Sequence, residues 1–317
     1  MFTTDRDPSF PCGNLQHIVP LDLPGFTKAV PSGSVHQLVF DPEPAESQFQ
    51  RFVERLLQSI GQQFLPVYRM ADGEFMFAVG QHAALNNNGH TNAWSYAKVK
   101  ARNLLARLPW ESHFGSVSTI WGESYLREEM AALRTDYSRY VSEIAQNGIL
   151  AIHFVYSQGR FGEQYIHPMC RWLNENGVIL NRDNYTSFYF VYALLNGPLR
   201  RLLLHNRSIA IISSANQEKQ ARISATLLAE GSAKVQFINI SPTRAMTETV
   251  DLGGLQLPVD VVLVAAGIGA ANILVQLRPL NTLCIDSGIC IECLAQPDRK
   301  LERIFLLSDD DMAQKAG

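Results

Sequence analysis

Val261-Val262-Leu263-Val264-Ala265-Ala266-Gly267-Ile268-Gly269-Ala270-Ala271-Asn272-Ile273-Leu274-Val275-Gln276-Leu277 is the stretch on which the reading of this 317-residue chain turns. It opens as a continuous apolar run, breaks at Gly267-Ile268-Gly269, and resumes as an alanine-rich apolar segment. An unbroken Val/Leu run suits a strand buried on both faces. A glycine turn leading into a helix is how a parallel strand passes its chain to a covering helix. The strand is expected over Val259 to Ala265 and the helix over Ala270 to Leu277. The same rhythm recurs to either side. Ser208 to Ser213 reads as a buried strand, Gln217 to Glu230 as a helix ended by Gly231, Val235 to Ile240 as a strand, and Thr282 to Ile285 as the next. Apolar strands alternating with helices predict an α/β fold, a Rossmann-like, mostly parallel sheet with helices on both faces.

Toward the N-terminus the pattern continues. Phe49, Phe52, Leu56, Leu57 and Ile60 recur at helical spacing from Glu46 until Gly61 stops the run. Phe64 to Tyr68 reads as a strand ending in Arg69. Further helices are expected over Phe75 to Ala84, Thr91 to Leu108, Tyr125 to Ala145 and Glu163 to Asn176. Strands are expected over Val117 to Trp121 and Ile149 to Phe154, and a loop over Asn86 to His90. The aromatic cluster Tyr185, Phe188, Tyr189, Phe190 and Tyr192 reads as core, or as a surface on which a ligand ring stacks. Residues 1–46 are dense in proline and glycine and read as an irregular N-terminal arm, a lid or oligomer arm or a leader. Residues 47–317 read as one α/β domain.

Composition narrows the function classes. Hydrophobic residues make up 46% and charged residues 18%, the balance of a globular protein with a substantial core. A net charge of −3 supplies no basic field, which argues against nucleic acid as a partner. The N-terminus lacks the basic-then-apolar pattern of a signal peptide, and no uncharged apolar run reaches the length of a membrane span. Five cysteines, three of them clustered as Cys284, Cys290 and Cys293 without a nearby histidine or a second CxxC, read as buried or partly buried thiols in a reducing, cytoplasmic setting. The histidines show no HxH or HExxH spacing, and no GxSxG or P-loop pattern occurs, so a serine hydrolase and a P-loop NTPase are poor readings.

Four constellations carry chemistry. In Tyr68-Arg69-Met70-Ala71-Asp72-Gly73-Glu74-Phe75, two acids flank a glycine directly after a strand. Glycine permits a sharp turn that aims Asp72 and Glu74 at one point, and two carboxylates are what Mg²⁺ or Mn²⁺ uses to hold a diphosphate. Arg69 either forks onto a phosphate oxygen or braces one of the acids. The alternative is a solvated turn with Asp72 capping the next helix. Gly267 and Gly269 open a helix whose N–H groups face an anion, or form a tight connection only. Asp286, in Cys284-Ile285-Asp286-Ser287-Gly288, closes a buried strand as a site acid or a cap. Ser213 and Asn216, joining a strand to a helix with Lys219 nearby, receive a phosphate or cap the helix.

At Arg69 to Phe75 the chain resembles the GT-D fold glycosyltransferases, bacterial enzymes marked by an R-[YF]-G-D-G-E-F stretch. The Thr91 to Leu108 helix, the strand–glycine-turn–helix of Leu263 to Leu277, and Cys284-Ile285-Asp286-Ser287-Gly288, similar to the family's A-[IL]-D-x-G, follow in the same order. The family's aromatic–glycine pair is Met70-Ala71 here. The resemblance spans about Glu46 to Cys293. It implies a hexosyltransferase with a Rossmann-like fold, a UDP-sugar donor, a glycan or small-molecule acceptor, and Mn²⁺ or Mg²⁺ on Asp72 and Glu74. It further implies Asp286 as an acid that orients the donor or deprotonates the acceptor. Two other readings stay open: a non-catalytic nucleotide or sugar-nucleotide binding protein, and an S-adenosylmethionine-dependent methyltransferase using the Gly267–Gly269 turn. A homo-oligomer fits any of the three.

Overall fold

The computed structural model describes residues 45–79, 116–118, 124–126, 128–152, 167–178, 180, 183–196 and 199–296. The arm as far as residue 44, the loop Asn86 to His90, the helix expected over Thr91 to Leu108 and the segment after Gln296 lie outside the described residues.

Seven strands form one parallel sheet. In chain order they are β1 (Leu65–Met70), β4 (Ile149–Ile152), β5 (Tyr185–Ser187), β6 (Ser208–Ser213), β7 (Lys234–Asn239), β8 (Val261–Ala265) and β9 (Leu283–Asp286). Their spatial order is β5-β4-β1-β9-β8-β6-β7, and every neighbouring pair runs parallel. The expected mostly parallel, helix-covered sheet is therefore present. Apart from it, β2 (Ser116–Ser118) and β3 (Ser124–Leu126) pair antiparallel.

The helices are α1 (Ala45–Ser59), α2 (Asp72–Ala78), α3 (Glu129–Asn147), α4 (His167–Glu175), α5 (Phe188–Asn196), α6 (Arg200–Leu204), α7 (Gln217–Ala229), α8 (Ala270–Gln276) and α9 (Cys290–Ala295). Alternate residues of each strand feed two separate cores, one per sheet face, as the two-residue period of a strand requires. On one face, Leu65 and Val67 of β1 meet α1, α5, α6, α7 and α9. On the other, Tyr68 and Met70 meet α2, α3, α4 and α8. The aromatics Phe188, Phe190 and Tyr192 are buried core, with Phe49 edge-on to Phe190 at 5.1 Å.

Several boundaries differ from the sequence reading. The first helix begins at Ala45, inside the segment assigned to the arm. The helix expected from Tyr125 starts at Glu129, because Ser124–Leu126 is taken up by pairing with β2. The helix expected from Phe75 starts earlier, at Asp72. Strand β5 was not anticipated: three residues, Tyr185–Ser187, are too short for alternation to show.

Candidate functional site

In an open parallel sheet the strands end together at one edge, and ligands bind beyond those carboxyl ends. Here β1, β9, β8 and β6 are consecutive neighbours. Their ends carry, in that spatial order, Arg69 to Glu74, Asp286 to Gly288, the Gly267–Gly269 turn, and Ser213 to Asn216. The register sets Asp286 beside Val264, and Ala265 beside Ser213. Residues more than 200 positions apart in the chain thus share one edge. Beyond β1 the chain packs on one face, through α2 and α3, while beyond the adjacent β9 it packs on the other, through α9. In open parallel sheets, the place where neighbouring strands send their chains to opposite faces is where ligands bind.

The acidic segment is helical. Asp72 opens α2, and Ala71 precedes it in extended conformation at φ −102°, a region that any residue adopts. Alanine at the place of the family's glycine is therefore unstrained. The sharp turn expected at Gly73 is absent, since Gly73 lies within the first helical turn. The reason is local. Glu74 folds back so that its Oε2 accepts from the Ala71 N–H at 3.1 Å, supplying half of a capping box. Acids in a first turn also suit the positive end of the helix dipole. Residues two apart on a helix do not face each other, so the backbone does not converge the pair in the expected way. Behind Glu74 lies a buried pair of phenols, with Tyr68 Oη and Tyr137 Oη 3.0 Å apart. Burial, first of all, holds both phenols well above their usual range, and the Glu74 charge adds to this.

Arg69 and Asp286 meet across β1 and β9. The Arg69 Nε donates to the Asp286 carbonyl at 2.8 Å, its Nη2 to Oδ1 at 3.3 Å, and its backbone N–H to Oδ2 at 3.2 Å. Arg69 is 7% exposed and Asp286 4%. The guanidinium carbon lies 5.2 Å from the Phe188 ring centroid and 4.9 Å from that of Tyr192. The expected partners of Arg69 were a phosphate or one of the acids Asp72 and Glu74; the acid it braces is Asp286, 217 positions along the chain. The Asp286 charge keeps the guanidinium protonated against its burial. Burial pushes the Asp286 carboxyl up, opposed by Arg69 and by the Gly288 N–H.

Gly288 has φ +41°, and a Cβ there would meet the Arg69 Nη2 at 1.6 Å. The Ser287 and Gly288 N–H groups donate to the Val264 carbonyl at 2.7 and 3.2 Å, tying this turn to β8. Gly267 has φ +53°. Gly269 packs so closely on the turn Ala245–Thr247 that a Cβ would meet the Ala245 carbonyl carbon at 2.5 Å. Sequence reasoning missed this wall: Met246 N–H donates to Tyr125 Oη at 2.9 Å, and Arg244 bonds Glu129 at 2.8 Å. Ser213 and Asn216 act locally. Ser213 Oγ accepts from the Ala215 N–H at 3.4 Å, and Asn216 Oδ1 caps α7 through the Lys219 N–H at 3.0 Å. The Lys219 ammonium pairs with Glu292 of α9.

No family model matches the sequence. No curated protein matches it either. Two solved structures resemble the chain. One, described as a new glycosyltransferase (DUF1792) from Streptococcus sanguinis, is 14% identical over 84% of this chain and 95% of its own, with a TM-score of 0.42. The other, a domain of unknown function 1792, is 12% identical over 76% of this chain and 82% of its own, with a TM-score of 0.38.

Among the described residues no group of three or more His, Cys, Asp or Glu side chains could hold a metal ion, and no helix is long and apolar enough to cross a membrane. A hard divalent cation needs less from the protein: one or two acids, with substrate phosphates and water completing the shell. Asp72 and Glu74 are residues of that donor type, both in the first turn of α2. Carboxylate oxygens suit a hard cation such as Mg²⁺ or Mn²⁺ better than a soft metal.

Proposed function

We propose that the chain is a metal-dependent glycosyltransferase that moves a sugar from a nucleoside diphosphate sugar to a hydroxyl of a glycan or small-molecule acceptor. The observation that carries the reading is that the segments bearing Asp72 and Glu74, Asp286 and the Gly267–Gly269 turn leave the carboxyl ends of three adjacent strands whose connections diverge to opposite faces. The sequence resemblance at Arg69 to Phe75 and at Asp286 to Gly288 supports the same class, with UDP as the nucleotide it implies.

In this reading Asp72 and Glu74 hold the cation and, through it, the diphosphate. A bound Mg²⁺ or Mn²⁺ would supply neutralisation of the charge that develops on the leaving nucleoside diphosphate. Glu74, anchored on the Ala71 N–H, keeps its carboxylate at the start of α2. The Gly267–Gly269 turn lets a phosphate or ribose approach the backbone closely. Asp286 orients the donor through the turn that it anchors. With both oxygens hydrogen-bonded to Arg69, it is poorly placed to take a proton from an acceptor.

Asp72→Asn and Glu74→Gln test the proposal. Gln keeps an acceptor for the Ala71 N–H, so the helix cap survives. Each variant is expected to lose transfer from a panel of nucleotide sugars by at least about a hundredfold, consistent with loss of a transition-state charge contact. Each is also expected to lose the Mn²⁺-dependent rise in melting temperature on adding UDP, with little change in the melting temperature of the free chain. Full activity in the double variant, or undiminished transfer in excess chelator, would refute the metal-dependent enzyme. UDP stabilisation without transfer or donor hydrolysis would leave a binding protein instead.

A further inference from the structure

We propose that Arg69 is a positioning residue: through Asp286 and Gly288 it locks the β9–α9 turn onto the end of β1, so that the two halves of the site reading above act as one, and it touches neither donor nor metal. This inference rests on the proposed nucleotide-sugar site. It reassigns an arginine that sequence reasoning offered to a phosphate.

The geometry has three parts. The first is the fork. Three donors of Arg69, two on the guanidinium and one on the backbone, go to the carbonyl and both carboxylate oxygens of Asp286. A single residue 217 positions away thereby takes the arginine's head and its main chain together. The second is the slot. Phe188 and Tyr192 of α5 contact the guanidinium, and Gly288 leaves room for Nη2 where any Cβ would collide. The arginine cannot swing out of this slot without leaving both rings. The third is what lies beyond. Nη1 of Arg69 and Oδ1 of Asn196 are both buried without a hydrogen-bond partner. Asn196 Nδ2 donates to Cys290 Sγ at 3.5 Å, and the Cys290 thiol is close enough to Arg69 to feel its charge. A buried donor and a buried acceptor without partners are groups that an internal water can satisfy.

The consequence concerns α9 as a whole. Cys290 opens that helix, Glu292 pairs with Lys219 at the start of α7, and the Ser287 and Gly288 N–H groups hold β8. Fixing Gly288 against Arg69 therefore sets the relative position of the ends of β1, β9, β8 and β6. Lysine has no planar fork, so Arg69→Lys keeps the charge and loses the geometry. Gly288→Ala removes no polar group at all; it pushes the guanidinium out of its slot from the other side. The two substitutions break one device.

The experiment is a double-mutant cycle on the full chain with Arg69→Lys, Gly288→Ala and the double variant. Two things are read: the affinity for UDP in the presence of Mn²⁺, and the rate of Cys290 alkylation by iodoacetamide in the absence of nucleotide, followed by peptide mapping. Each single variant is expected to weaken UDP binding about tenfold and to unmask Cys290. The double variant is expected to resemble either single one rather than show a hundredfold loss, because non-additivity marks residues acting as a unit. Additive losses with Cys290 still protected would mean that Arg69 contacts the nucleotide itself, and would overturn the proposal. Unmasking of Cys290 with unchanged UDP affinity would make the lock structural only, which also overturns it. Failure of the wild-type chain to bind UDP at all would sink the function reading, and with it the positioning role. Coupled alkylation rates would then show a lock that serves something else.

Discussion

At the scale of single residues, two opposite charges at the ends of apolar strands carry more of this molecule than their number suggests. Each was visible as an oddity in the sequence: Arg69 ends one buried run and Asp286 ends another. A charge is buried only when paired, so either residue predicts a partner, and the one signal that could have joined them is that each lies at the carboxyl end of a strand of a parallel sheet. Leaving one of a buried pair alone costs roughly 3–5 kcal/mol, which is why the two are best probed by conservative changes. The cysteines divide along the same line of burial. Cys284 and Cys290 are buried and Cys293 is half-buried. Burial pushes the Cys290 thiol up to about 12 and Cys284 upward as well, so neither forms the reactive thiolate near neutral pH. Iodoacetamide at about pH 8 is expected to label Cys293 well before Cys284 or Cys290. Peptide mapping reads the order, and early labelling of Cys284 would contradict the burial.

At the scale of elements, helix N-termini account for residues that resemble ligand contacts. Glu74 closes the start of α2, and Asn216 closes the start of α7 by accepting from the Lys219 N–H. Capping and ligand binding draw on the same residue types, because both need an oxygen beside unpaired N–H groups. Sequence alone therefore left the two readings open at Ser213 and Asn216. The structure has both side chains engaged with their own backbone. Asn216→Ala is expected to cost about 1 kcal/mol of stability, the usual cost of a lost cap, while leaving UDP-dependent stabilisation unchanged. Chemical denaturation with and without UDP and Mn²⁺ checks this. A loss of nucleotide binding at unchanged stability would return Asn216 to the ligand.

At the scale of the whole molecule, the sheet is buried on both faces, and its cores contain ionisable groups held neutral. Tyr68, Tyr137, Cys284 and Cys290 all have their proton-binding strength raised by burial. A raised value in the folded state stabilises the fold fully below the ordinary value, and that contribution is lost as pH rises through it. The losses begin near 9.0 for the thiols and 10.0 for the phenols. Stability is expected to hold to about pH 8 and then fall by roughly 1.4 kcal/mol per pH unit for each group that the unfolded chain ionises. The urea midpoint at about pH 8 and about pH 10.5 measures the drop, and an unchanged midpoint would contradict it. How much of this was legible in the sequence follows from range. The parallel α/β class, β6, α7, β8, α8 and most of β1 were readable, because the burial of a strand or a helix face is written locally as hydrophobic period. The sequence by itself also nominated the acids and glycines at strand ends. Strand order, the meeting of Arg69 with Asp286, the pairing of Ser124–Leu126 with β2 and the wall that Ala245 makes against Gly269 were decided only in three dimensions. The physical reason is that a periodicity reports which side of an element faces inward, whereas the identity of what it faces depends on contacts between positions far apart in the chain, which no local pattern encodes.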